Sequence, residues 1–304
     1  MTAQHFINEN LRQSQKANAP FLWFGGKGKT WRYILPHFPT AKIYVEPFAG
    51  AASIFFNLPE NKYPVVVLND LHDGIITLFR VLQDKAKLEE LQHRLCFTPY
   101  SRAEFCKAID LIKSGVYIDD IQKAWAFFVT QNQGFGGVAE TYGRWGRVFA
   151  SRTAMAETNS SWQNRISKLM WYHKKLMTVQ LDNQDALQVI QYWDSPDTLF
   201  YCDPPYLADT RKSGKYQHDC CDDFHNKLVD TLSAIKGQCV LSGYDNPIYD
   251  RLNWQKKDFK TTCSAAGRTR GSGLQDKGNA IDKQQRVETL WLKINEVTAG
   301  GLFG

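Results

Sequence analysis

The sequence predicts an α/β fold: a mostly parallel sheet with helices on both faces, interrupted by an inserted, mainly helical lobe. Three observations carry this. Five short runs rich in β-branched and aromatic residues, KIYVE (42–46), PVVVLND (64–70), TVQLD (178–182), TLFYCD (198–203) and QCVLSGY (238–244), are separated by helix-like segments. The first four of them end in an acid. Between about 79 and 177 no such run occurs, and apolar residues recur instead at helical spacing.

Composition sets the outer bounds. The chain has 304 residues, 43% of them hydrophobic and 22% charged, the balance of a folded domain with a sizeable core. No apolar run reaches membrane-spanning length, and the polar N-terminus MTAQHFINENLRQSQ lacks a signal-peptide core, so a cytoplasmic protein is expected. The seven cysteines form no CxxC pair; Cys96, Cys106, Cys202 and Cys239 sit within apolar patterns and read as small core residues. Cys220 and Cys221 lie near His218 and His225, but their spacing fits no standard zinc pattern, and no metal is expected. The net charge of +6 permits a polyanionic partner without requiring one. From Arg144 to Lys175 the cations Arg147, Arg152, Arg165, Lys168 and Lys174 accumulate against the single acid Glu157. A second basic cluster comprises Lys256, Lys257, Lys260, Arg268 and Arg270.

In chain order, the first strand ends at Glu46, turns through Pro47-Phe48-Ala49-Gly50 and leads into what reads as an Ala-rich helix. Its small residues let a ligand approach the backbone, and its helix N–H groups suit an anion. The second strand ends at Asp70, where an acid in a doubly wound fold binds the ribose hydroxyls of an adenosine cofactor. There is no GxGxxG, which weighs against a dinucleotide. In the insertion, Ser101 and Glu104 form a capping box before a helix burying Phe105 and Ile109. Trp125, Phe128 and Val129 make one apolar stripe; Trp162, Ile166, Leu169, Met170, His173 and Leu176 make another, with His173 read as a packing residue or a phosphate contact. Residues 131–149, rich in Gly, aromatics and Arg, read as an extended loop or hairpin. After the fourth strand, Phe224, Leu228, Leu232 and Ile235 mark a helix with Asp222 and Asp223 at its positive end. RVETLWLKI (286–294) reads as a strand, an antiparallel edge paired with DFKTTCSA.

FLWFGGKGK (21–29), EPFAGAAS (46–53), LND (68–70), NQDAL (183–187) and YCDPPY (201–206) occur in the order and spacing of the Dam-like, D12-class DNA adenine-N6 methyltransferases, which the chain resembles over nearly its whole length. The resemblance implies a Rossmann-like fold dependent on S-adenosylmethionine (SAM), with residues 1–78 and 178–304 forming the catalytic domain and 79–177 the target-recognition domain. It implies that Trp23, Gly25, Gly26 and Lys27 line the cofactor pocket. Glu46, Pro47, Phe48, Ala49, Gly50 and Ala51 would surround the methionine part, Asp70 the ribose and Asp185 the adenine edge, with Asp203 reaching cofactor and base alike. Glu46 stands where Asp is commoner, Ala51-Ala52 replace part of the usual glycine run, and Lys293 stands where Asn is more usual.

The chemistry of Asp203-Pro204-Pro205-Tyr206 follows from the adenine amine, whose lone pair is delocalised into the ring. A carboxylate and a backbone carbonyl can accept its two hydrogens and draw the lone pair out of conjugation. These would be the Asp203 side chain and the Pro204 carbonyl, held rigid by the fixed φ of Pro204 and Pro205. Tyr206 would stack on a base rotated out of the duplex. On double-stranded DNA, Tyr142, Arg144 and Arg147 would reach bases or phosphates, Gly136 would permit close approach, and Lys174 and Lys175 would position phosphates. Arg211, Lys212 and Lys215 would clamp the backbone beside the flipped base. The product is S-adenosylhomocysteine, and a monomer or weak dimer is expected. Two other readings are compatible with the sequence: a catalytically silent SAM- or DNA-binding module, and an amino-methyltransferase acting on RNA or a protein amide. The recognition sequence, and a role in restriction-modification, in a phage or as a solitary methylase, stay open.

Overall fold

A computed structural model describes residues 19–23, 25–134, 145–146, 151–152, 155–205, 222–262 and 285–295. The chain opens with a short helix α1 (Trp31–Ile34), then β1 (Ile43–Glu46) and β2 (Val65–Asn69). Six helices follow, α2 (Asp73–Gln83), α3 (Lys85–Cys96), α4 (Arg102–Ser114), α5 (Asp120–Gln133), α6 (Glu157–Ser167) and α7 (Leu169–Leu176), with a two-stranded hairpin of β3 (Ser151–Arg152) and β4 (Met155–Ala156) before α6. The chain then alternates through β5 (Val179–Asp182), α8 (Ala186–Trp193), β6 (Thr198–Cys202), α9 (Asp222–Ala234), β7 (Gln238–Gly243) and α10 (Pro247–Asp250). It ends in β8 (Gln255–Thr262) and β9 (Gln285–Lys293).

The large sheet has the order β5-β2-β1-β6-β7-β9-β8. Its first five strands are parallel, and β9 runs antiparallel to both β7 and β8. From β1 the chain progresses outward to β2 and β5; β6 then pairs on the other side of β1 and the order reverses. In an open α/β sheet the crevice at such a reversal, beyond the carboxyl ends of the strands, is where ligands bind. Here it lies between β1 and β6, which end at Glu46 and Cys202.

Period-two alternation sorts the strand residues onto two buried faces. Tyr44, Val66, Leu68, Leu199, Tyr201 and Val240 face one cluster with Ile75, Leu78 and Phe79 of α2, and Val45, Val67, Phe200, Cys202, Cys239 and Leu241 face the other with Val189, Leu228 and Leu232. Burial on both faces is why these strands are nearly continuous apolar runs. Helices α3 to α7 join the first cluster through Leu88, Leu91, Ala108, Trp125, Phe128, Trp162, Leu169 and Tyr172. They are therefore packed on the sheet face through a shared core.

Several local expectations hold. The Ser101 hydroxyl accepts from the Glu104 N–H at 3.2 Å and opens α4, burying Phe105 and Ile109. His173 Nδ1 lies 2.7 Å from the Leu82 carbonyl oxygen, the contact of a packing residue. Two expectations are corrected. The sheet edge is β8, while β9 is inserted between β7 and β8 with Trp291 fully buried; the antiparallel ladder on both sides requires it. No α-helix follows Gly50: the chain makes turns and a 3-10 helix, Phe55–Asn57, because Ala52 adopts φ +52°, which interrupts a right-handed run. Among the described residues no helix is long and apolar enough to cross a membrane.

Candidate active site at the sheet reversal

Each strand end contributes one polar group to the crevice. Glu46 closes β1 almost fully buried, and the Tyr44 hydroxyl donates to its Oε1 at 2.7 Å. Burial pushes the Glu46 carboxyl up to about 8, and the nearby Asp203 adds to the effect, while the hydrogen bonds from Tyr44 and from the Phe55 backbone work against it. Asp70 follows β2: its Oδ2 accepts from the Gly50 N–H at 2.8 Å and its Oδ1 from the His72 N–H at 2.8 Å. Gly50 has φ +51°, and a Cβ there would fall 2.9 Å from the Trp23 indole, so this position needs glycine on both counts.

Asp203, just past β6, is held by two donors on one oxygen. The Lys27 ammonium lies 2.7 Å from Oδ1, and the Ser242 hydroxyl donates to the same atom at 3.0 Å, itself bonded to the Tyr201 hydroxyl at 3.0 Å. Lys27 is only 4% exposed and has a second carboxylate, Glu288 Oε2, at 3.8 Å. Cys202 points the other way, into the second core cluster, as alternation requires.

Beneath these groups lies Asn69, fully buried at the end of β2. Its amide donates to the carbonyls of Pro47 at 2.9 Å and Gln184 at 3.1 Å, and its Oδ1 accepts from the Gln184 N–H at 2.9 Å. Asn183 Nδ2 donates to the Asp70 carbonyl at 2.7 Å. The loops after β1, β2 and β5 are thus tied into one wall.

The structure brings together Trp23, Lys27, Glu46, Gly50, Asp70 and Asp203, with Pro47, Phe48, Ala49 and Ala51 in the intervening turn; Ala49 N–H donates to the Asn69 carbonyl at 2.8 Å. Gly25 and Gly26 form an exposed turn, with Gly26 N–H donating to the Trp23 carbonyl at 3.1 Å. Asp185 caps α8 through Oδ1, accepting from Leu187 N–H at 2.9 Å. Pro204 and Pro205 continue from Asp203, and Tyr206 lies outside the described residues, as do Gly136, Tyr142, Arg144, Arg147, Arg211, Lys212 and Lys215. Of the cations on the second helical stripe, Lys174 is exposed, but Lys175 donates to the Leu58 carbonyl at 3.1 Å and Arg165 to the Ala19 carbonyl at 3.2 Å. Those two tie α6 and α7 to backbone that precedes β2. Sequence reasoning assigned no role to Asn69, Ser242, Glu288 or Tyr44. An Asn inside an apolar strand and a Glu inside VETLWLKI were the available signals.

Glu46 carries a prediction. Between its ordinary value of 4.5 and about 8 the folded chain keeps a proton that the unfolded chain has released. Its contribution to stability is therefore fully present below about pH 4.5 and is lost as pH rises through about 8. Glu46→Gln, which retains the shape without the charge, is expected to flatten this segment and to stabilise the protein by a few kcal/mol at pH 8.5, since each tenfold change in proton affinity is worth about 1.4 kcal/mol. Urea denaturation at pH 6 and 8.5 checks it; an unchanged pH slope in the variant refutes it.

A parallel sheet with its reversal at β1 and β6, Glu46 closing β1, and Asp203 opening an Asp-Pro-Pro exit just past β6 define the ligand crevice of a Rossmann-like fold. The family described as D12 class N6 adenine-specific DNA methyltransferase matches residues 23–262, and the chain belongs to that family. It is similar to the DNA N-6-adenine-methyltransferase of Escherichia phage P1, 28% identical over 225 residues that cover 70% of this chain and 28% of that protein. It is also similar to the DNA adenine methylase of Escherichia coli (strain K12), 24% identical over 210 residues, 63% of this chain and 66% of that one. A DNA adenine methylase of Vibrio cholerae serotype O1 is 25% identical over 193 residues, with the same coverage of 63% and 66%. The match spans less than two thirds of each of these relatives.

Proposed function

We propose that the chain transfers a methyl group from SAM to the N6 amine of a flipped-out adenine in double-stranded DNA. The observation that carries this is Asp203, anchored by Oδ1 on a buried ammonium at the sheet reversal, immediately before Pro204. The donor set fits SAM: Asp70 lies at the β2 end where ribose hydroxyls are accepted, and the Gly50 turn has no Cβ where the chain must pass Trp23 closely. SAM bound there supplies the methyl as a sulfonium electrophile and leaves as S-adenosylhomocysteine. The chain's part is to make the amine nucleophilic. Asp203 and the Pro204 carbonyl accept hydrogen bonds from its two hydrogens and pull the lone pair toward the methyl carbon; as the C–N bond forms and the methyl–sulfur bond breaks, the Asp203 carboxylate takes one of those protons.

In this reading Trp23, Gly25, Gly26 and Lys27 border the cofactor, Glu46 to Ala51 its methionine part, Asp185 its adenine, and Tyr206 stacks on the target base. The helical insertion, 79–177, serves as the target-recognition domain, with Lys174, Arg144 and Arg147 toward the phosphates and bases, and Arg211, Lys212 and Lys215 beside the flipped nucleotide. The protein acts as a monomer or weak dimer, without a metal, on DNA in the cytoplasm of a bacterium or phage-infected cell. The test is to incubate the protein and SAM with a genome lacking N6-methyladenine and to read modified positions by long-read sequencing. Modified adenines in one motif, or scattered adenines, support the function and report its specificity; modification no greater than in a control without SAM overturns it.

A further inference from the structure

Glu288 reaches the active site only because β9 is antiparallel. In the ladder Thr289 pairs with Gly243, so Glu288 lies one step beyond the last residue of β7, at the edge where the parallel strands end. It follows the alternation of Leu290 and Leu292, which face the same cluster as Tyr201, the residue two before Asp203. Its side chain is 9% exposed, and its Oε2 lies 3.8 Å from Lys27 Nζ. Among the described residues, the donors on Asp203, Lys27 and Ser242, both meet Oδ1, at 2.7 and 3.0 Å. A buried ammonium needs a well-made ionic surround, and its loss is felt by every carboxylate it serves. Lys27, which also donates to the Gly25 carbonyl at 3.4 Å, is shared between the carboxylate just past β6 and one brought from the far side of β7.

We propose that Glu288 is a positioning residue for methyl transfer: it anchors the Lys27 ammonium, which holds Asp203 by Oδ1 and leaves the other carboxylate oxygen to accept from the substrate amine. This rests on the function proposed above and adds a role for a residue on a strand distant in sequence from the Asp-Pro-Pro exit. Glu288 acts through Lys27, so its effect must vanish when Lys27 is gone.

The experiment is a double-mutant cycle of Glu288→Gln and Lys27→Met, read in kcat, in KM for DNA and SAM, and in the urea midpoint. Glu288→Gln is expected to lower kcat about tenfold with both KM values nearly unchanged, in the range coupled neighbours show. Lys27→Met is expected to lower kcat further, and the double variant to be no slower than Lys27→Met alone. Losses that multiply across the two sites, or an unchanged kcat in Glu288→Gln, overturn the proposal. Far-UV circular dichroism and SAM binding by calorimetry identify a variant that fails to fold, in which case Glu288→Asp replaces Glu288→Gln in the same cycle. If the wild type transfers no methyl to DNA, the proposed function fails separately. The cycle in urea midpoints then decides the pairing: non-additive midpoints support Lys27-mediated anchoring, and additive ones overturn it.

Discussion

Asp203→Ala is expected to bind SAM with near wild-type affinity and to transfer methyl groups to DNA slower by about 10³-fold, within the range by which positioned proton acceptors accelerate reactions. Asp203 follows the last residue of β6, its backbone fixed by a buried strand on one side and by two prolines on the other. Alanine leaves that backbone intact and removes only the acceptor. It also takes away the carboxylate 2.7 Å from Lys27 and leaves Glu288 farther off at 3.8 Å, so some stability is lost as well. Asp203→Asn separates the two effects, because it keeps a hydrogen-bonding oxygen of the same size beside Lys27 while weakening the acceptor. Transfer of tritiated methyl to duplex DNA, with SAM binding measured by calorimetry, is the check. Undiminished transfer by Asp203→Ala would remove the mechanism.

Asn69→Leu is expected to be the most damaging single substitution for stability, at about 3–5 kcal/mol. Leucine keeps the branched shape and the number of heavy atoms, so no cavity opens and the main loss is of hydrogen bonds. It strands the Pro47 carbonyl and both the carbonyl and N–H of Gln184, all now satisfied by one buried side chain. Each buried group left without its partner costs roughly 1–3 kcal/mol, against a total stability of roughly 5–15 kcal/mol for a folded domain. Because the same amide ties the turn after β1 to the loop after β5, SAM affinity should fall with stability. Urea denaturation and SAM calorimetry measure the two effects. A loss below about 1 kcal/mol would show that water replaces the amide, and that the wall is not braced by it.

The acid-closed strands were readable because they combine two local signals, a β-branched run and a polar stop, and each survives without any knowledge of neighbours. The capping box at Ser101 and the core placement of Cys202 were readable for the same reason. The turn after Gly50 was not. AASIFF has good helical composition, and only the left-handed Ala52, with Glu46 accepting from the Phe55 backbone, turns it into a 3-10 segment. Arg165 and Lys175 looked like surface cations because charge is read from the sequence and direction is not; each reaches a backbone carbonyl on another part of the chain.

Periodicity and strand endings, then, determined that this chain builds a parallel sheet with Glu46, Asp70 and Asp203 at its carboxyl edge, since both depend on residues within a few positions of each other. What only the tertiary structure decided is which of those edges meet. The order β5-β2-β1-β6-β7-β9-β8 puts β7 between β6 and β9 and so brings Asp203 and Glu288 to the one ammonium of Lys27, although the three lie far apart in the chain. Contacts of that kind are set by how strands pair and in which direction, and no local pattern around Asn69 or Glu288 encodes the partner each finds.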